Sequence, residues 1–294
     1  DTWKESIFTQ ATIQNIGADK YAYLPIVIPA IKTQKRITEF LDKATLQIDD
    51  AIKTKEKQLK TLEALKKSII YKAVTKGLDD SVEMIDSKIE WIGNIPKYWD
   101  VKMIKRFAEV KRGASPRPIA DQKYFDEDGE FAWVRIADVT ASGRYLENTT
   151  QRLSELGSQY SVKQYPNDLF ISIAGTVGKP IISKIKCCIH DGFVWFDNPT
   201  FNKEYLYYIF YAGLPYGGLG KLGTQLNLNT DTIGKIYIPV IPNNELPKIV
   251  EYLDTEVEKI NTLKENVKKQ IEKLKEYKKS LIYEYVTGKK QIKG

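Results

Sequence analysis

The chain is poor in cysteine and histidine. Its 294 residues include two cysteines, Cys187 and Cys188, and one histidine, His190. Adjacent cysteines rarely bridge each other, so a disulfide framework is excluded and the chain fits a reducing cytoplasm. A structural zinc site takes four ligands in spaced pairs, which this set does not supply. We therefore expect no metal site and place the two cysteines in a buried strand.

Long apolar runs are also missing. No segment approaches the roughly 18 apolar residues of a membrane span, and no charged segment followed by an apolar leader is present. The sequence therefore predicts neither membrane insertion nor export. The chain is nevertheless 42% hydrophobic, which is ample for a packed core.

Excess positive charge is modest. The formal net charge of +7 permits an anionic partner but does not identify one. Residues 88–243 contain 19 Lys or Arg and 16 Asp or Glu, and 19 minus 16 leaves only +3. Much of the surplus therefore lies on the flanking helices, where solvated lysines are the ordinary explanation.

An internal repeat organises the chain. A shift of 212 residues aligns residues 40–77 with residues 252–289. Both copies repeat apolar residues every seven positions, which is typical of coiled-coil helices. The sequence predicts two long helices, at 32–78 and 244–290, each on the order of 60 Å long at about 1.5 Å per residue. The heptad positions are Leu41, Ile48, Leu62 and Ile69 in the first copy, with Lys55 as the exception, and Leu253, Ile260, Val267, Leu274 and Leu281 in the second.

The composition changes between the two helices. Residues 79–88 are polar and are predicted to form a linker, whereas Trp, Tyr and Phe are frequent in residues 89–243, with Gly and Pro between them. This pattern predicts a mixed α/β domain, here called the central domain, and an α+β fold class for the chain. The predicted strands lie at 131–139, 169–173, 181–185 and 192–196, and a predicted helix lies at 202–212.

Five segments of the chain form a recognisable series: 34–42 (QKRITEFLD), 91–99 (WIGNIPKYW), 111–113 (KRG), 168–179 (DLFISIAGTVGK) and 223–228 (GTQLNL). In this order they resemble the specificity subunit of type I restriction-modification systems. The resemblance implies that residues 89–243 are a target-recognition domain for double-stranded DNA and that the long helices are antiparallel spacers. It further implies a non-catalytic subunit without a cofactor, which binds methyltransferase subunits and joins a restriction subunit in the assembled complex.

The family pattern alternates recognition domain and spacer twice. Here residues 1–31 contain an apolar segment ending in Pro29, as residues 234–239 do before the second helix. We therefore interpret residues 1–31 as the remnant of an upstream recognition domain. Two interpretations stay open: a shortened chain, or a half-sized subunit that forms a homodimer through the long helices.

The first candidate DNA-binding residues lie in a basic segment. Lys105 and Lys111 are expected near phosphates, which position a protein without specifying sequence. Arg112 and Arg117 flank a Gly-Ala-Ser-Pro loop that contains Ser115, and a guanidinium group there can bind guanine. The alternative is an ordinary solvent-exposed loop.

Further candidates lie in later segments. Arg135 shares a face with Trp133 if both are in a strand, and either base contact or an arginine stacked on a buried tryptophan fits that pattern. Lys179 follows a Gly-rich turn. Lys221 lies with Gln225 and Asn227 in one Gly-rich and amide-rich segment. Amide side chains bind adenine or cap turns, and both uses stay open for Gln225 and Asn227.

Two segments resemble nucleotide-binding motifs, but neither has the surrounding pattern that such a site requires. Residues 218–223 satisfy G-x-G-x-x-G but do not stand between a predicted strand and a helix, and residues 175–180 have the wrong glycine spacing for a P-loop. Residues 197–201 (DNPTF) are similar to the catalytic loop of adenine methyltransferases but lack its second proline. A self-contained methyltransferase and a coiled-coil scaffold with no nucleic-acid role are the alternative functions.

Overall fold

The computed structural model describes residues 22–23, 26–217 and 228–292. Its helices are α1 (Ile31–Lys76), α2 (Ile136–Ala141), α3 (Glu155–Gln159), α4 (Lys203–Ala212), α5 (Thr230–Gly234) and α6 (Leu246–Val286). Its strands are β1 (Met84–Asp86), β2 (Asn94–Pro96), β3 (Asp100–Met103), β4 (Glu109–Arg112), β5 (Phe131–Val134), β6 (Tyr145–Leu146), β7 (Gln151–Leu153), β8 (Val162–Gln164), β9 (Leu169–Ser172), β10 (Pro180–Ser183), β11 (Cys187–Ile189), β12 (Phe193–Asp197) and β13 (Tyr237–Val240).

The described residues form two compact units. One contains the residues up to 61 and from 262 onward, and the other contains Leu62–Asn261. The second unit therefore contains the central domain together with the adjoining parts of α1 and α6. Among the described residues, no helix has both the length and the apolar character that a membrane span requires.

The long helices pack antiparallel in each unit. In the first unit, the rings of Phe40 and Tyr285 are 4.7 Å apart. In the second unit, the Lys66 ammonium donates to the Asn261 side chain at 3.0 Å. Lys278 also pairs with Asp49 at 2.6 Å in the first unit, and Lys72 lies near Tyr252 in the second. Residue numbers within each unit therefore rise along α1 as they fall along α6, so the antiparallel coiled coil implied by the family resemblance is confirmed.

The seven-residue periodicity corresponds to burial along α6. Leu253, Ile260, Val267 and Leu281 are all buried, whereas Leu274 is half-buried. The first helix ends at Lys76 because Gly77 has a left-handed backbone, with φ of 75°, that favours glycine. Helix α6 ends at Val286, two residues before Gly288.

The central domain contains two larger sheets. One has the strand order β4-β12-β9-β10-β6, and the other has the order β7-β5-β11-β8. Strand β12 is antiparallel to β4, with Val194 opposite Arg112. Strand β11 is parallel to β5, with Ile189 opposite Val134. Because parallel strands end at the same edge of a sheet, the residues after β5 and after β11 are neighbours.

The core of the second unit joins the central domain to both long helices. Tyr208 and Phe210 of α4 are buried together with Val74 of α1 and with Ile249 and Leu253 of α6. The prediction of a helix at 202–212 is confirmed, since the Asn202 side chain caps α4 by accepting from the Tyr205 amide at 2.9 Å. The buried strand predicted for Cys187 and Cys188 is also confirmed, and burial raises the pKa of both thiols to about 12.

One local prediction is wrong. The strand predicted at 131–139 ends at Val134, because the Asp138 carboxylate accepts from the Arg135 amide at 2.9 Å and starts α2. Arg135 and Trp133 therefore do not share a strand face. Within the predicted linker, Ile85 pairs with the buried Ile95 in a β1–β2 hairpin, which the polar composition of residues 79–88 did not indicate.

Candidate nucleic-acid interface

Three segments meet at one edge of the central domain. The loop 113–117 follows β4, the turn 190–192 connects β11 to β12, and Arg135 follows β5. The register of these strands places the three segments together, because β4 is antiparallel to β12 and β5 is parallel to β11. Sequence positions more than 70 residues apart therefore form one surface.

Asp191 is the centre of this surface. Its backbone carbonyl accepts from Arg112 Nε at 2.5 Å. Its carboxylate accepts from the Ser115 hydroxyl at 3.3 Å and pairs with Arg117 Nη2 at 3.5 Å. The name Asp191 cluster is used below for Arg112, Ser115, Arg117, Arg135, His190 and Asp191.

The Asp191 cluster is positively charged and accessible. Its three arginines and one carboxylate sum to +2, because His190 is neutral near pH 7. Burial lowers the pKa of His190, and the nearby Arg135 lowers it further against the opposing effect of Asp191. Arg112 and Arg135 are exposed, as is 79% of the Arg117 side chain. Exposed guanidinium groups of this kind bind phosphates or base edges.

Close backbone contact fixes the loop against the turn. The Gly113 amide donates to the Phe193 carbonyl at 3.0 Å, and the Ala114 amide donates to the Ile189 carbonyl at 3.1 Å. A Cβ atom on Gly113 would lie 2.2 Å from the His190 carbonyl oxygen, so only glycine permits this approach. The cluster is therefore built on two strand ends that are held together by main-chain bonds.

The turn 190–192 is also internally bonded. The Gly192 amide donates to His190 Nδ1 at 2.8 Å, which leaves the proton of the neutral ring on Nε2. The imidazole packs edge-on against Phe193, with ring centroids 4.7 Å apart, and lies 5.8 Å from the ring of Trp133. Asp191 therefore lies in a turn whose conformation is set by aromatic packing and a hydrogen bond.

Lys111 and Lys105 lie outside this cluster. The Lys111 ammonium pairs with Asp197 at 2.5 Å and Glu109 at 3.2 Å, and these two hydrogen bonds raise its pKa. The two carboxylates outnumber the single cation, so the local charge is negative. Lys105 is exposed on the rim of a surface groove that Glu109 and Asp231 also line.

Lys179 is held by main-chain oxygens at the end of α2. Its ammonium donates to the Thr140 carbonyl at 3.1 Å and to the Ser142 carbonyl at 2.7 Å, and partial burial lowers its pKa. A contact between Lys179 and DNA would require exchange of these bonds. Lys221, Gln225 and Asn227 lie outside the described residues.

Sequence reasoning missed Asp191 and His190 as interface residues. Both follow the Cys-Cys-Ile strand, where the cysteines and the histidine raised only the question of a metal. No metal-ligating group of three or more residues occurs among the described residues. Ser161 was also missed, although its hydroxyl donates to the Ala114 carbonyl at 2.8 Å and so supports the loop 113–117. Only the pairing of β4 with β12 and of β5 with β11 shows that these residues lie beside the loop 113–117.

The segments that mimic enzyme motifs have structural contacts. Asp197 binds Lys111, and the ring of Phe201 packs edge-on against Phe196, with centroids 5.2 Å apart. Gly175 and the residues after it form the turn between the antiparallel strands β9 and β10, which is not the strand-to-helix connection of a P-loop. The motif at 218–223 lies outside the described residues.

Comparison with known proteins points to one family. The family model for the type I restriction modification DNA specificity domain matches residues 96–273. A putative type I restriction enzyme MjaX specificity subunit from Methanocaldococcus jannaschii is 25% identical over 95% of the chain and 62% of its own length. The type I restriction enzyme MjaVIII specificity subunit from the same organism is 27% identical over 99% of the chain and 69% of its own length. The chain thus spans about two thirds of the length of these relatives.

The fold has also been seen before. A chain from a structural description of complex assembly and conformational transition of the type I R-M system covers 98% of this chain. The match covers 67% of that chain, with a TM-score of 0.75 and 17% sequence identity. At this identity the match establishes the fold, in which a mixed α/β domain is combined with long helices.

Proposed function

Because the chain belongs to the family of type I restriction-modification DNA specificity domains, we propose that it recognises a DNA sequence on behalf of separate methyltransferase and restriction subunits. Residues 89–243 act as the target-recognition domain in this proposal, and the helices at 32–78 and 244–290 act as spacers. Residues 79–88 link them, and residues 1–31 are the remnant of an upstream recognition domain. The complex works on DNA in the cytoplasm.

The observation that supports this function is the Asp191 cluster. Two arginines on either side of a single loop, Arg112 and Arg117, lie with Arg135 on an accessible edge with a net charge of +2, beside a turn that the strand register brings from a distant part of the sequence. Arginine binds the O6 and N7 atoms of guanine through two donors in the major groove. Arg112, Arg117 and Arg135 are therefore assigned to base contacts, and Ser115 to an adjacent polar contact.

The remaining candidates are assigned to supporting contacts. Lys105 and Lys111 lie on or beside β4 and are assigned to phosphates, which set the position of the domain on the duplex. Lys111 would reach a phosphate by exchange of its ion pairs with Glu109 and Asp197. Lys179 is assigned to a phosphate reached by exchange of its bonds to α2. Lys221, Gln225 and Asn227 are assigned to DNA on their residue types alone.

The antiparallel helices support the role of a spacer. A two-part DNA site requires recognition domains at a fixed separation, and a rigid pair of helices provides one. A second copy of this chain, joined through the long helices, would supply a second recognition domain. The same helices are the proposed binding surface for the methyltransferase subunits.

Co-purification tests the assignment of the subunit. A tagged chain expressed in its native host is captured and the bound proteins are identified by mass spectrometry. We expect methyltransferase subunits in near-stoichiometric amounts. Their absence, together with saturable binding of S-adenosylmethionine to the isolated chain in titration calorimetry, would instead favour a self-contained methyltransferase.

A further inference from the structure

Asp191 contacts every predicted DNA-contact residue of the segment 112–117. Arg112 binds its carbonyl, while Ser115 and Arg117 contact its carboxylate. Among the described residues, the ion pair found for the loop 113–117 joins Arg117 to Asp191. The Asp191 side chain is 44% exposed, so the carboxylate lies at the surface beside the guanidinium groups rather than beneath them.

We propose that Asp191 is a specificity-determining residue, whose carboxylate orients Arg117 toward base edges beside an Arg112 held by the backbone carbonyl, and keeps the loop from binding phosphates indiscriminately. The proposal rests on the proposed function, because it concerns how the same surface distinguishes DNA sequences. Nothing in the family match assigns a role to Asp191, whose contacts follow from this strand register.

The contacts of Asp191 restrict the orientation of the neighbouring arginines. Arg112 uses Nε to donate to the Asp191 carbonyl, so a bidentate contact with a base would use the two terminal nitrogens of its guanidinium group. A guanidinium group needs two parallel donors to bind guanine O6 and N7 together. A long arginine side chain loses rotamer freedom when it binds, so a residue that restricts it beforehand favours the specific complex.

The Asp191 carboxylate also lowers the positive charge of the cluster. Without a carboxylate, the arginines of the cluster would add three positive charges, and DNA phosphates attract such charges regardless of sequence. The Asp191 carboxylate reduces the attraction and repels phosphates that approach Arg117, from which it is 3.5 Å away. A base edge carries no net charge and does not meet this repulsion. The carboxylate therefore weakens random binding more than specific binding.

The turn that carries Asp191 is held in a fixed conformation. The turn 190–192 is fixed by the bond from the Gly192 amide to His190 Nδ1 and by contact with Gly113. A carboxylate on a mobile loop would follow the arginines wherever they moved. Here the carboxylate is the fixed partner, and the arginines adjust to it.

The test compares Asp191→Asn with the wild-type chain. A duplex selected by the wild type from a random library and a duplex of scrambled sequence are titrated by fluorescence anisotropy at several salt concentrations. We expect Asp191→Asn to bind the scrambled duplex more tightly and with a steeper salt dependence, and to lose at least tenfold in the ratio of the two dissociation constants. A ratio within threefold of the wild-type value would overturn the proposal.

Asp100→Asn is the matched control. Asp100 is an exposed carboxylate of the same domain, paired with Lys102 at 2.9 Å, so its substitution changes the net charge by the same amount. Here both duplexes are expected to bind slightly more tightly, and the ratio of dissociation constants to stay the same. An equal loss of discrimination in Asp100→Asn would assign the effect to net charge and overturn the proposal.

Arg117→Gln completes the design and also serves if Asp191→Asn does not fold. If Asp191 acts through its arginine partners, Arg117→Gln lowers discrimination, as Asp191→Asn does. It weakens binding to the scrambled duplex, whereas Asp191→Asn strengthens that binding. In the double variant, Asp191→Asn should change the ratio much less than it does in the wild type. An undiminished effect there would show that the carboxylate binds a base itself, which overturns the orienting role. A wild-type chain that shows no preference between the duplexes would contradict the proposed function itself.

Discussion

The Arg144 guanidinium of the central domain forms an ion pair with Asp254 of α6. It also pairs with Glu204 of α4 and donates to the Tyr208 hydroxyl at 2.8 Å. The Tyr208 hydroxyl in turn donates to Asp254 at 2.5 Å. With only 16% of the Arg144 side chain exposed, this network joins the central domain to α6 through charge-assisted hydrogen bonds.

Arg144→Ala is expected to lower the free energy of unfolding by about 1.5 to 3 kcal/mol, because two carboxylates lose their shared partner in a partly buried site. Urea unfolding of both chains measures the difference. Lys186→Ala is the control, since Lys186 pairs with Glu130 where both side chains are about half exposed. The control should cost less than about 1 kcal/mol. Equal losses in the two variants would contradict the importance of the network.

Leu253→Ala tests the packing of α6. Leu253 is completely buried, so its truncation should cost about 2 to 5 kcal/mol through lost contacts and a residual cavity. Leu263 lies on the same helix with 51% of its surface exposed, and Leu263→Ala should stay within about 0.5 kcal/mol of wild type. Thermal unfolding of the two variants and the wild type measures the loss of stability in each variant. Similar losses would mean that α6 does not present one apolar face as described.

Gly113→Ala tests the contact between the two loops of the Asp191 cluster. The added methyl group would lie 2.2 Å from the His190 carbonyl oxygen and 2.7 Å from the Ile189 carbonyl oxygen, so the main chain must move. We expect a loss of about 1 to 3 kcal/mol in stability and weaker sequence discrimination. Gly143→Ala is the control, because no described atom lies within 4 Å of the added carbon. Wild-type behaviour of Gly113→Ala would contradict the close approach.

His190 makes stability depend on pH in a defined direction. Burial lowers its pKa in the folded state, whereas in the unfolded chain it protonates near its ordinary value of about 6.5. The unfolded chain therefore binds an extra proton as the pH falls below about 6.5, and stability decreases until the pH reaches the lower, folded pKa. Above about pH 7.5 this contribution is absent because both states are neutral.

Comparison with His190→Gln isolates the effect. The difference in unfolding free energy between the wild type and this variant is measured by urea unfolding at about pH 7.5 and about pH 5. The wild type should lose more stability than the variant on acidification. Arg135 and Asp191 are the charged neighbours of the ring, and both remain in the variant. An equal decrease of the unfolding free energy in the two chains on acidification would show that groups other than His190 cause the pH dependence.

The sequence predicted the helices better than the interface. Heptad spacing is a local property, and Leu253, Ile260, Val267 and Leu281 show it without knowledge of the partner helix. The end of a strand is harder to predict from local sequence, because the sequence alone would allow β5 to continue through Arg135. The hydrogen bond from its amide to Asp138 decides the matter, and the periodicity of a few residues does not reveal that bond.

The candidate site was predicted in part for the same reason. Arg112, Ser115 and Arg117 are close in sequence, so a local basic pattern identified them. Asp191 is at least 74 residues away from them in the chain and becomes a neighbour only when β4 pairs with β12. A long-range register of this kind is set by packing of the whole sheet. The bonds that hold Lys179 to α2 likewise follow from tertiary structure.

The affinity of the chain for selected and scrambled duplexes, measured for wild type, Arg112→Ala and Arg117→Ala, tests the central claim most directly. If these arginines contact bases, each substitution should weaken binding to the selected duplex by about 1 to 3 kcal/mol and affect the scrambled duplex much less. Equal losses on both duplexes would identify phosphate contacts instead. Wild-type binding that ignores sequence at every salt concentration would contradict the account as a whole.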